Sequence, residues 1–172
     1  MIKKFSIAVI AVVVLGAVVA SVLPREWKVT RSIVINAPPA KIHPWLIDLK
    51  RWQDWSPWTR AIDPQLRNIY EGPQDGIGAR WAWLGPTMGR GQIEIVDADP
   101  KRGIALDQKI ESDEINSHAR IEYADEAGAT RVTWTDSGTL PLFGGVFLGT
   151  VESDLTAHLD AALAKLKTLA EQ

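Results

Sequence analysis

The sequence predicts an α+β fold: seven antiparallel strands cover one long carboxy-terminal helix, behind an amino-terminal apolar segment. Three observations carry this. Six short strand-like runs follow one another from about residue 64, each ended by turn chemistry. Val151, Leu155, Leu159, Ala162, Leu166 and Leu169 then recur every three or four positions, uninterrupted by glycine or proline from Thr150 to Gln172. Phe5 to Leu23 carries no charge at all.

That first segment divides the chain into residues 1–25, a membrane anchor or signal, and 26–172, one domain. As a helix, Phe5 to Leu23 would reach about 28 Å at ~1.5 Å per residue, against a hydrocarbon core of ~30 Å. It is long for the apolar stretch of a secretory signal, roughly 7–15 residues, although Val18-Val-Ala20 offers a small-residue cleavage point. A buried core helix would carry a polar stripe, and this segment has none. The expectation is a single transmembrane helix through residues 5–23. Lys3 and Lys4 before it favour the amino end inside and the domain extracytoplasmic, or periplasmic. Arg25, Lys28 and Arg31 on the far side pull the other way.

Lys28 to Asn36 places Val29, Ile33 and Ile35 on one face with period two, which is a strand. Ala37-Pro-Pro-Ala40 sets a helix start, followed by Ile42, Trp45, Leu46 and Leu49 towards Trp52. Pro44 removes a backbone bond inside this run, so the helix either begins late or kinks there. The six strands are then Leu66–Glu71, Gly78–Leu84, Gly91–Asp97, Gly103–Ile110, Asn116–Tyr123 and Thr130–Ser137. Asp125-Glu-Ala-Gly128 reads as a hairpin loop. A single sheet of this size needs one face covered, and only the last helix is large enough.

Composition excludes several function classes. The chain has no cysteine, which removes disulfides, cysteine-ligated zinc and thiol catalysis. Formal net charge is −2; without Lys3 and Lys4 the balance is 17 − 21, or −4. No basic stripe interrupts it, so no nucleic-acid partner is expected. His43, His118 and His158 are scattered and lack metal-ligand spacing, so no metal and no cofactor are expected. His158 stands four residues after Asp154, as in a surface ion pair, and His118 shares a solvent face with Arg120 and Glu122. Asp97, Asp99, Glu111, Asp113 and Glu114 are turn carboxylates without calcium-site spacing. Gly85-Pro-Thr-Met-Gly-Arg-Gly91 lacks the lysine of a phosphate loop and reads as a hairpin turn.

Arg51-Trp-Gln-Asp-Trp-Ser-Pro-Trp58 concentrates three of eight tryptophans in eight residues. Trp52 and Trp55 share a helical face, and Ser56-Pro57 ends the helix so that Trp58 leaves at another angle. A cation cage needs rings around a shared void, and an interfacial belt needs a nearby membrane. A structural lock needs only large apolar bodies, and it is the reading we favour. The aromatics on strands are more informative. Trp81 with Trp83, Ile121 with Tyr123, and Val132 with Trp134 share one face. Joined by Ile93, Ile95, Leu155 and Leu159, these side chains either wall a ligand cavity or fill a core.

The order of elements resembles the SRPBCC superfamily, and so do Arg31-Ser-Ile-Val-Ile-Asn-Ala-Pro-Pro39, Trp52-Gln-Asp-Trp-Ser-Pro-Trp58, Tyr70-Glu-Gly-Pro73, Gly76-Ile-Gly-Ala79 and Thr130-Arg-Val-Thr-Trp-Thr135. That superfamily includes START-type lipid-transfer and pollen-allergen-like domains, and the bacterial polyketide cyclase/dehydrase-like branch is closest. The resemblance spans residues 27–170 and departs from the pattern at Pro44. It implies a helix-grip architecture: a curved sheet wraps the last helix, two short helices close one end, and an apolar cavity lies between.

With the resemblance, the cavity becomes the favoured reading. Its expected ligand-binding residues are Trp81, Trp83, Ile93, Ile95, Ile121, Tyr123, Trp134, Leu155 and Leu159. The expected function is a membrane-tethered domain binding a hydrophobic small molecule or lipid. A cyclase/dehydrase-like enzyme is the alternative, and it requires a buried acid–base pair. Arg80 and Asp136 are its only nominees, both placed opposite or beside the apolar faces. A module without a ligand, whose sheet merely packs on its helix, is the third reading.

Overall fold

A computed structural model describes residues 14–16, 18–110 and 115–172. Residues 14–16 and 18–22 are helical and mostly exposed. Among the described residues no helix is long and apolar enough to cross a membrane. Ten of the nineteen residues of the expected span, 5–23, lie outside them.

Strand β1 (Glu26–Ile35) leads into helix α1 (Pro39–Ile47) and the single turn of α2 (Trp52–Trp55). Strands β2 (Arg67–Glu71), β3 (Arg80–Gly85), β4 (Gly89–Asp99), β5 (Gly103–Ile110), β6 (Ile115–Glu126) and β7 (Ala129–Thr139) follow, then a 3-10 turn (Gly144–Phe147) and α3 (Leu148–Ala170). The strands form one antiparallel sheet in the order β1-β7-β6-β5-β4-β3-β2. Strands β2 to β7 are a meander, and β1 closes onto the last of them. The Ala127-Gly128 corner of the β6–β7 hairpin takes positive φ at both residues, 52° and 91°, as a two-residue primed turn requires.

Helix α1 begins at Pro39, not late, and runs through Pro44. Proline at the first turn forfeits no intrahelical bond. The bond Pro44 does forfeit is the one to the carbonyl of Ala40, an exposed residue on the solvated side of a nine-residue helix.

The tryptophans of α2 explain how this short helical pair holds its shape. Trp52 donates its indole N–H to the Leu46 carbonyl at 3.0 Å, and Trp55 donates to the Trp45 carbonyl at 3.1 Å. Both acceptors belong to the last turn of α1, where carbonyls have no helical partner. The two rings, 0% and 1% exposed, lie 4.8 Å apart, and each meets Trp134 of β7 edge-on at 5.7 and 5.8 Å. These rings are a lock, one that fastens α1 and α2 to the sheet through Trp134.

On α3, Leu159, Ala162, Leu163 and Leu166 are fully buried against this core, while Leu155 and Leu169 are half-buried beside it. Each buried leucine contributes roughly 1.5–3 kcal/mol.

Candidate functional site

The register of the sheet puts two adjacent ladder rows at one end of the inner face. In the first, Tyr70, Trp81, Ile93, Gln108, Ser117, Gly138 and Trp27 stand side by side from β2 across to β1. In the second, nearer the strand ends, come Trp83, Gly91, Ile110 and Ile115. From Trp81 to Trp27 in the first row and along the second, together with Val151, Leu155 and His158 of α3, and Trp58, they enclose a cleft of about 290 Å³; Tyr70 lies beyond it. That lies near the small end of the ~300–1,000 Å³ typical of small-molecule sites.

Each row contains one glycine, and a tryptophan covers each glycine. A Cβ on Gly91 would overlap the Trp83 indole opposite it, and a Cβ on Gly138 would overlap the Trp27 ring. Side chains normally stand off a strand. A glycine directly across the ladder lets an indole lie down over the neighbouring backbone. The rings therefore pave the cleft and do not plug it.

Asp63 fixes the edge behind Trp83. It is fully buried and accepts the backbone N–H groups of Thr87 at 2.9 Å, Met88 at 3.0 Å and Gln65 at 3.2 Å. These bonds, Met88 first, hold its carboxyl below the usual range against the opposing effect of desolvation. They clamp the hairpin turn between Gly85 and Gly89, confirming the glycine-rich run as a turn.

Two acids line the cleft, the exposed Asp154 at its rim and the buried Asp136. Asp136 shares the inner face of β7 with Val132 and Trp134, which corrects the expected placement away from the apolar face. It is 5% exposed and accepts from the Trp27 indole at 2.9 Å and the Gln108 amide at 2.7 Å. Burial pushes its carboxyl above the ordinary range, and the two hydrogen bonds only partly oppose this. Arg80 is on the outer face, paired with Glu94 at 2.9 Å. The nominated Arg80–Asp136 pair is thus separated by the sheet.

Of the nine residues expected to line the cavity, Trp81, Trp83, Ile93 and Leu155 do so. Ile95, Ile121 and Leu159 are 0% exposed in the solid core. Trp134 belongs to the tryptophan lock. Tyr123 lies farther along β6, where its hydroxyl meets His43 Nδ1 of α1 at 3.2 Å and burial raises its pKa. These five face inward as expected, but they are packed over: α1 and α2 cover Trp134 and Tyr123, and Ile95, Ile121 and Leu159 are sealed in the core.

Other lining residues escaped the sequence reading. Trp27 and Leu140 lie just outside the strand boundaries read from sequence, and Trp58 turns back from α2 to meet His158 edge-on at 5.9 Å. No ion pair joins His158 to Asp154 among the described residues; both line the cleft instead. His118 is exposed on the outer face, paired with Asp107 at 2.7 Å. No group of three potential metal ligands occurs among the described residues.

Residues 26–171 match the family described as polyketide cyclase / dehydrase and lipid transport. Solved structures add the fold. The di-domain ARO/CYC StfQ of the steffimycin biosynthetic pathway aligns with a TM-score of 0.65 at 12% identity, covering 86% of this chain and 51% of that one. The chain therefore spans about half of that protein. A Thalictrum norcoclaurine synthase mutant, in complex with a transition-state analogue, aligns at 0.62 and 12%, covering 86% and 97%. A protein from Chromobacterium violaceum aligns at 0.61 and 15%, covering 87% and 99%. No curated protein sequence matches at a significant level.

Proposed function

The chain belongs to the polyketide cyclase/dehydrase and lipid transport family, within the SRPBCC helix-grip superfamily, and from that premise we propose that its cleft binds one hydrophobic small molecule or lipid. The observation that carries this is the paved cleft of about 290 Å³, walled by Trp27, Trp58, Trp81 and Trp83 with a single buried carboxyl at its floor. Broad aromatic walls supply contact area without specifying direction. Its size suits one ring system or one acyl chain.

Asp136 supplies the direction. Each carboxylate oxygen already accepts one bond and keeps capacity for another. The ligand we propose is apolar over most of its length and carries a hydroxyl or other hydrogen-bond donor at the Asp136 end. The Phe5–Leu23 run would tether the domain to a bilayer, on the extracytoplasmic side, where such a ligand is concentrated.

A second reading follows from the same acid. A buried carboxyl with a raised pKa, facing a cleft, is suited to proton transfer in a cyclase- or dehydrase-type reaction. One experiment addresses both readings: native mass spectrometry of the full-length protein, released gently from its membranes. Binding predicts a small-molecule adduct on the wild type that is lost in Gly91→Leu, whose side chain would occupy the space of the Trp83 ring. A dehydrating enzyme predicts instead that Asp136→Asn carries a ligand heavier by one water. A correctly folded wild type with no adduct, before or after adding apolar extracts of the same membranes, would overturn the binding reading.

A further inference from the structure

The loop between β7 and α3 displays its large apolar side chains to solvent. Leu142, Phe143, Val146 and Phe147 are 58%, 46%, 53% and 63% exposed. Isolated exposed hydrophobics are ordinary, but four within six residues form a patch. No charged residue occurs from Leu140 to Val151. The backbone holds the patch in this form at a steric cost, since Phe143 adopts a left-handed φ of 70°, an outlier for a bulky residue.

The loop sits on the end of the apolar amino-terminal run. A Cβ on Gly145 would strike the Leu23 side chain and the Pro24 carbonyl, so the two segments touch through that glycine. Two hydrogen bonds pin the junction: the Leu140 N–H donates to the Arg25 carbonyl at 2.8 Å, and the Arg25 guanidinium donates to the Leu140 carbonyl at 3.1 Å. Val18, Val19 and Val22 continue the exposed apolar surface on the amino-terminal side. Leu140 and Val151, which flank the loop, also line the cleft.

We propose that the Leu142–Phe147 loop inserts into the headgroup–acyl boundary of a lipid bilayer, setting the open end of the cleft against the membrane surface. The inference rests on the tethering part of the proposed function. It adds a fixed orientation to that tether: the solid end of the sheet, under α1 and α2, points away from the membrane. The contact is apolar, because the patch contains no lysine or arginine to attract anionic headgroups. A ligand could then pass between bilayer and cleft without crossing water.

The chain has no cysteine, so a single introduced thiol reports one position. The test uses full-length protein in phosphatidylcholine vesicles, with a fluorophore on Phe147→Cys, on Val146→Cys, or on His118→Cys at the outer face of the sheet. The expected result is loss of fluorescence at 146 and 147 when the lipids are brominated near the headgroup, unchanged at high salt, with shielding from aqueous iodide. Label 118 should show iodide quenching and no bromolipid quenching. Iodide access at 146 and 147 equal to that at 118, in protein that floats with the vesicles, would overturn the loop contact while leaving the tether intact. Protein that fails to float would overturn the tether itself. Shielding at 146 and 147 that requires high protein density, with no bromolipid quenching, would assign the patch to a second copy of the chain and overturn the proposal.

Discussion

The Trp27 indole N–H donates to Asp136 at 2.9 Å, joining the first strand of the sheet to the last at the floor of the cleft. Gln108 reaches the other carboxylate oxygen from β5 at 2.7 Å. Burial still prevails over both bonds, and the carboxyl stays above its ordinary range.

The sign of the pH dependence follows from this. The folded state holds the Asp136 proton to a higher pH than the unfolded chain does. Its contribution to stability therefore falls as pH rises from the ordinary carboxylate range through the raised pKa, and is level beyond it. Asp136→Asn has no such proton. Chemical denaturation across a pH series should show the stability of wild type relative to Asp136→Asn declining over that window. A constant difference would mean that the carboxyl is not perturbed.

At the opposite edge, Asp63 carries the reverse sign. Its folded pKa is depressed by the N–H groups of Met88, Thr87 and Gln65, so its contribution is present above the unfolded carboxylate pKa and is lost as pH falls through the folded value. Asp63→Ala should lower the melting temperature and speed amide exchange at Thr87 and Met88. Unchanged protection of those two amides would remove the clamp.

Gly91 and Gly138 should tolerate substitution poorly, for the same reason at two places. Ala at either would displace the indole lying over it, and overpacking of this kind costs typically about 1–3 kcal/mol. Gly91→Ala should weaken ligand retention by more than its loss of stability explains, because Trp83 is moved within the wall. A variant that binds normally would show that Trp83 does not need to lie flat.

Two neighbouring tryptophans should separate stability from binding. Trp55→Ala removes a ring that is 1% exposed and uncovers the Trp45 carbonyl, at an expected cost of about 3–5 kcal/mol. Trp58 is half-buried and lines the cleft, so Trp58→Ala should cost about 1 kcal/mol while clearly weakening ligand binding. Thermal melts paired with ligand retention decide it; equal stability losses would merge Trp58 into the lock.

For the amino-terminal run, full-length protein should sediment with membranes and resist alkaline carbonate extraction. Release by carbonate would exclude the anchor. A mature amino terminus near Ser21 would identify a cleaved signal instead.

Alternation by itself determined which face of each strand turns inward. Period two puts Trp81, Trp83, Ile93, Ile95, Ile121, Tyr123 and Trp134 on the inner face, and the helical period puts Leu155 and Leu159 on the stripe that covers it, because a pleated strand and an α-helix have fixed periods. Element order and turn residues determined the meander, and together with the quoted motifs they carry the resemblance to the family that residues 26–171 match. What only the tertiary structure decided was depth along each strand. Ile93 and Ile95 are equivalent by pattern, yet one borders the cleft and the other is sealed in the solid core. Register decided the rest: Trp27 over Gly138, Trp83 over Gly91, and Trp27 and Gln108 converging on Asp136 are pairings between residues distant in the chain. A side chain's period is local. Whether a cavity opens above it depends on what packs over that row, and this is settled only when the strands are paired and the helices laid on top.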